Sequence, residues 1–159
     1  MTHRFSGVWL LDAAKSEAPN VHLAALGLGD LAQSAATRIN ATVSLRILGR
    51  GSEVTIVHVS SLGEKERRFT LGEPVYETGR DGAPIRIVID LASATVLRTQ
   101  TDYGKARFFE VKTLVAPDTL VQELQMVLHG TITKTTRTFL RTTAESAAAA
   151  AAAAGLAFE

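Results

Sequence analysis

The chain has 159 residues, with 17 Lys and Arg against 16 Asp and Glu, a net charge of +1 and no cysteine. That length allows one domain with a sizeable core, and the balanced, unclustered charge speaks against nucleic acid as a partner. The missing thiols exclude disulfides and thiolate metal ligands and fit a reducing compartment.

The opening residues, Met1 to Ser6, are not followed by the apolar run of a signal peptide. No apolar stretch reaches the ~18 residues of a membrane span unless the weakly hydrophobic Ala tail is included. A soluble, cytoplasmic protein is therefore expected. Phe5 to Leu11 forms a first strand, with Trp9, the only tryptophan, two residues after Gly7. A glycine there allows close approach of a neighbouring backbone or a bulky group.

From Ala13 to Arg38 the apolar period changes. Pro19 suits a first helical turn, and Val21, Leu23 and Leu26 make a short stripe. Gly27-Leu28-Gly29 ends that helix, and Asp30 with Gln33 resembles the capping box of a second. The expectation is a helix-turn-helix.

After Ile39 the helical signal gives way to strands. Ala41 to Ile47 alternates cleanly, Gly49-Arg50-Gly51 turns the chain, and strands follow over 52–60, 65–71, 75–79, 85–91, 95–101, 107–115 and 120–128. His129-Gly130 leads into the last, Gly130 to Arg141, dense in β-branched residues. With the first strand the count is ten, all joined by short turns. An up-and-down meander of that kind removes its edges by closing into a barrel, with the helical hairpin over one mouth.

On the last strand Thr133, Thr135, Arg137 and Phe139 share one face. If that face looks outward, Arg137 is an ordinary surface residue. If it looks into a barrel, a guanidinium too costly to bury dry requires a wet cavity with an anion or oxygen acceptors nearby. The His residues at 22, 58 and 129 lack ligand spacing, and no nucleophile triad is evident, so neither metal, cofactor nor catalysis is expected. Residues 143–159 carry eight consecutive alanines, Ala147 to Ala154. A segment this short is marginal as an isolated helix and is expected to be a frayed appendage to a domain spanning 1–142, whose deletion leaves the melting temperature nearly unchanged; a helix docked through Leu156 and Phe158 is the lesser alternative.

The residues FSGVW at 5–9, ALGLG at 25–29, FTLGEPVYET at 69–78 with an Asp81-Gly82 turn, and LHGTITKTTRTF at 128–139 stand in the order and near the separations seen in one family. The chain resembles the intracellular fatty-acid-binding proteins, the cellular retinoid carriers included, which are calycin-like ten-stranded β-clams. The resemblance runs from Phe5 to about Arg141. It implies an internal cavity holding a fatty acid or similar lipid, a monomer, no cofactor and no catalysis, with transient membrane contact through the helical lid.

Residue by residue, Arg137 matches the arginine that binds the lipid carboxylate, while Phe139 stands where the family has a tyrosine. The second cavity arginine falls on Val111 without a gap, and alternation supports Val111 inward and Lys112 outward; one inserted residue places Lys112 in the cavity instead. Arg98 and Gln100 match interior polar residues that hold water. Leu62, and more loosely Leu28 and Leu31, match apolar residues of the ligand portal. A carrier of fatty acid is the leading expectation. A neutral-lipid or retinoid carrier and an isomerase-like, lipid-modifying barrel enzyme are the alternatives.

Overall fold

The computed structural model describes residues 3–16, 42–60, 63–78, 82–104 and 106–156. Ten antiparallel strands are present, and each of the ten expected segments becomes one. They are β1 (Gly7–Leu11), β2 (Thr42–Arg50), β3 (Glu53–Ser60), β4 (Gly63–Thr70), β5 (Val75–Thr78), β6 (Pro84–Ser93), β7 (Val96–Tyr103), β8 (Ala106–Ala116), β9 (Thr119–Leu128) and β10 (Thr131–Thr142). A short 3-10 turn, Ala13–Lys15, follows β1 under an Asp12 cap. The helix-turn-helix expected over 16–38 lies outside the described residues from residue 17 onward.

Consecutive strands pair except β4 with β5, and β1 also pairs with β10, so the sheet runs β4-β3-β2-β1-β10-β9-β8-β7-β6-β5. The barrel is nearly closed. Its two edges, β4 and β5, are not hydrogen-bonded to each other. Side chains bridge them instead: the Arg67 guanidinium on β4 meets the Glu77 carboxylate on β5 through Nε at 3.0 Å and Nη2 at 3.2 Å. Below that pair, Gly72 N donates to the Ile89 carbonyl at 2.7 Å. Five successive charged residues, Glu64 to Arg68, occupy β4, a composition that discourages pairing with another chain's edge.

Period 2 sends one face of each strand inward. The apolar core collects Phe5, Trp9, Leu45, Ile47, Val54, Ile56, Phe69, Ile85, Ile87, Ile89, Leu97, Leu120 and Phe139. Gly7 shows the close approach its position suggests. At φ +146° it takes a conformation disfavoured for other residues, and a Cβ there would collide with the Arg141 guanidinium. That guanidinium lies 4.3 Å from the centre of the Trp9 ring.

The tail departs from its expectation. Residues Ala144–Leu156 form a helix, α1, packed on the outside of β1, β2 and β3. Thr143 caps it, its Oγ1 accepting from Ser146 N at 3.2 Å. Ser44 and Val57 point outward on strands covered by α1, yet they are buried, as is Ala147 on the helix. Packing on the barrel thus supplies what eight alanines lack alone. Re-exposing a buried valine costs about 1.5–3 kcal/mol. Deleting residues 143–159 is therefore expected to lower the melting temperature by roughly 3–12 °C, at about 2–4 °C per kcal/mol. A thermal melt of the truncated chain checks this, and an unchanged midpoint returns the tail to an appendage.

Candidate ligand-binding cavity

The register of β7 to β10 decides which polar groups meet inside the barrel. Lys112 on β8 lies opposite Gln122 on β9, and Gln122 lies opposite Arg137 on β10. The three therefore stand in one row across the sheet, on its inner face. Glu110, two residues before Lys112, occupies the next row, between Thr99 on β7 and Leu124 on β9. All four side chains line a cavity of about 80 Å³, together with apolar groups that include Ile56, Phe69, Ile87 and Ile89.

These groups form a linked chain. The Lys112 ammonium is in direct contact with the Glu110 carboxylate. Gln122 Nε2 donates to Glu110 Oε1 at 2.8 Å, and Arg137 Nε donates to Gln122 Oε1 at 3.0 Å. Only one orientation of the Gln122 amide satisfies both neighbours, since its nitrogen must face the carboxylate and its oxygen the guanidinium. Phe139 lies beside Arg137, its ring centre 5.5 Å from the guanidinium carbon.

Burial sets the electrostatics. Lys112 and Arg137 are 1% and 5% exposed. Removing an ammonium from water, with the Arg137 charge nearby, brings Lys112 from its ordinary value of 10.5 down to about 7. Glu110 acts in the opposite direction on Lys112, so the downward shift reflects the depth of the site. Desolvation alone lowers Arg137 to about 10. Among the described lining residues, Glu110 is the carboxylate that stands beside Lys112 and Arg137.

The structure brings together some of the expected residues and separates others. Arg137 lines the cavity, and Phe139 is fully buried in the core beside it. Of the two alternatives on β8, Lys112 is the one that points inward; Val111 occupies the opposite face. Alternation did not separate the faces cleanly, because the odd-numbered face of β8 carries Phe109, Val111 and Val115. The even face prevails with Ala106, Phe108 and Leu114 around a charge pair that neutralises itself.

Arg98 and Gln100 are corrected in the same way. The inward residues of β7 are Leu97, Thr99, Thr101 and Tyr103, and Arg98 points out, paired with Asp90 at 2.7 Å. Gln100 also faces out, donating to the Asp102 carboxylate at 3.3 Å. A shift of one residue exchanges the faces of a whole strand. An irregularity between Leu91 and Ser93 where β6 meets β7 makes such a shift invisible in the residue order. Leu62, Leu28 and Leu31 lie outside the described residues. Glu110 and Gln122 were not foreseen, although an inward Lys112 brings Glu110 with it by period 2.

A clam of ten sequential strands, closed by β1 on β10 and open between β4 and β5, defines the fold of the fatty-acid-binding proteins. The chain is similar to a Schistosoma mansoni fatty acid binding protein solved with arachidonic acid, with a TM-score of 0.66, 19% identity, and 88% of this chain and 97% of that one covered. It is also similar to a fatty-acid-binding protein from Drosophila melanogaster brain tissue, with a TM-score of 0.64, 21% identity, and coverage of 86% and 98%. Echinococcus granulosus fatty-acid-binding protein 1 aligns with a TM-score of 0.67 and 18% identity, over 88% of this chain and 98% of that one. No protein-family model matches the sequence, and no curated protein matches it.

Proposed function

We propose that the protein is a carrier that holds a long-chain lipid inside the barrel, with a fatty acid as the favoured ligand and its carboxylate beside Arg137 and Lys112. The observation that carries this reading is the inner row of Lys112, Gln122 and Arg137, two buried cationic side chains that line the same cavity as a set of apolar groups. A ligand carboxylate is a fitting acceptor for Arg137 and Lys112, and the apolar lining receives the chain. The arachidonic acid complex of the Schistosoma mansoni protein supports a ligand of this kind.

At about 80 Å³ the cavity holds a handful of waters. Pockets for larger ligands run to roughly 300–1,000 Å³. Loading a long chain therefore expels water and widens the barrel. The β4–β5 side is suited to widening, because no backbone ladder joins the two strands and the Arg67–Glu77 side chains alone bridge them among the described residues.

Mass spectrometry of lipid co-purified with the native protein tests the reading directly. Fatty acid recovered in stoichiometric amount supports it. Consistent recovery of neutral lipid favours the alternative carrier, and altered lipid favours an enzyme.

Binding should also depend on pH. A bound carboxylate stabilises the charged form of Lys112 and raises its pKa above the value of about 7 in the empty cavity. Acid binding then takes up a proton above that pH, so affinity falls as pH rises through the window between the two values. The loss approaches tenfold per pH unit for one coupled proton. The charged and titratable groups facing this site are Glu110, Arg137, and, from the other lining strands, His58, Arg67 and Tyr103. Titrations of hexadecanoic acid at several pH values should show the decline in the native protein and lose it in Lys112→Met. A decline that persists in the variant assigns the proton elsewhere.

A further inference from the structure

We propose that Glu110 is a specificity-determining residue of the cavity, an internal counter-ion standing beside Lys112 where a ligand carboxylate would otherwise draw nearest. The inference rests on the carrier reading above and concerns which head groups the same site accepts.

The register makes Glu110 a member of the site rather than of the surface. Lys112 and Glu110 share one strand and one face, and Glu110 lines the cavity with Lys112, Gln122 and Arg137. Its carboxylate already engages the Lys112 ammonium and accepts from Gln122 Nε2 at 2.8 Å. Gln122 in turn accepts from Arg137 at 3.0 Å. Each cation that would attract a ligand anion is therefore linked, directly or through one amide, to a negative charge already present.

Two consequences follow for a ligand. An entering carboxylate gains Arg137 and shares Lys112, but it does so close to a like charge, which offsets part of the gain. An alcohol, ester or amide head group brings no charge. It finds in the same chain of donors and acceptors the hydrogen bonds it needs, without repulsion from Glu110. Glu110 thereby narrows the preference for acids over uncharged polar lipids and widens the range of chains the barrel carries.

The test is Glu110→Gln, an isosteric change that removes the charge and leaves the amide able to bond. Hexadecanoic acid and hexadecan-1-ol are titrated calorimetrically into native and variant protein near neutral pH, with far-UV circular dichroism verifying the fold. The acid is expected to tighten by about tenfold or more, and the alcohol to change by less than about threefold. An unchanged or weakened acid, or equal gains for both lipids, overturns the proposal. A native protein that binds neither lipid overturns the carrier reading and the proposal together, whereas native binding with an unaltered ratio in the variant overturns the proposal alone.

Should Glu110→Gln fail to fold, the paired replacement of Glu110 and Lys112 by methionine removes both charges at once, a change that buried ion pairs often tolerate. Titrated near pH 6, where Lys112 carries its charge, it leaves the summed charge of the cluster as it was, so the ratio of acid to alcohol affinity should stay within about threefold of native. A change of about tenfold or more would show that charge balance does not set the preference.

Discussion

Replacing Arg137 by alanine is expected to weaken hexadecanoic acid by about tenfold to a hundredfold while hexadecan-1-ol loses much less. The apolar chain supplies most of the gross affinity: about ten buried methylenes at ~0.8 kcal/mol each contribute about 8 kcal/mol. Association costs on the order of 4–15 kcal/mol, nearer the lower figure for a prepared cavity that releases water. A charge-assisted hydrogen bond to the carboxylate adds roughly 1.5–3 kcal/mol, and this part disappears with the guanidinium.

The geometry explains why the loss falls on the acid. Arg137 is 5% exposed, reaches the cavity from β10 and is oriented through Gln122, so little bulk water is available to substitute for it. Parallel calorimetric titrations of both lipids measure the difference. Equal weakening of acid and alcohol, or none, would remove Arg137 from the anion site and make an uncharged lipid the natural ligand.

Replacing Trp9 by alanine should be the most destabilising single substitution in the barrel, at about 3–5 kcal/mol. The ring is fully buried and touches the core formed by the first, second and last strands. Its Nε1 donates to the Phe5 carbonyl at 2.9 Å, holding the segment before β1 against the barrel. One face carries the Arg141 guanidinium, which also donates to the Ser6 carbonyl at 2.8 Å and to Asp118 Oδ1 at 3.1 Å. Truncation thus leaves a cavity, an unpaired carbonyl and a cation without its aromatic face.

At about 2–4 °C per kcal/mol, the midpoint of thermal unfolding should fall by roughly 6–20 °C. Far-UV circular dichroism must report it, since the substitution removes the only tryptophan. Trp9→Phe should recover part of the loss, because a ring remains while the hydrogen bond does not. A fall of less than about 1 kcal/mol in Trp9→Ala would mean that the region collapses around the gap at little cost.

The ten strands were legible because their turn residues and alternating apolar positions are local signals. On β10 alternation put Arg137 and Phe139 on one face but left open which way that face looks, and only the family resemblance pointed it inward. The polar interior was not legible. On β7 and β8 both faces mix polar and apolar residues, so alternation had no clean pattern to follow: it put Val111 on the wrong side, and the residue-by-residue resemblance did the same for Arg98 and Gln100. What fixes those faces is the register against β6 and β9, a long-range property absent from any single segment. Glu110 escaped notice for a related reason: a carboxylate inside a barrel makes sense only once its ammonium partner is known to face it. The docked tail helix was the lesser expectation because its stability resides in contacts with β1 to β3 rather than in its own eight alanines.

The pairing of β1 with β10 has a consequence for how the molecule comes into being. Val8 lies opposite Thr142 and Leu11 opposite Phe139, so the seam joins segments from opposite ends of the sequence. Every other pairing in the sheet links neighbours along the chain, and all but β1–β2, which are joined across residues 12–41, are hairpins that close small loops at modest entropic cost. The seam closes the longest loop, which places it late and makes folding slow compared with a helical protein of similar length. Lys112, Glu110, Gln122 and Arg137 all belong to strands that assemble as local hairpins. Their charges therefore stay hydrated while those hairpins form, and the cost of drying them is met when the seam shuts.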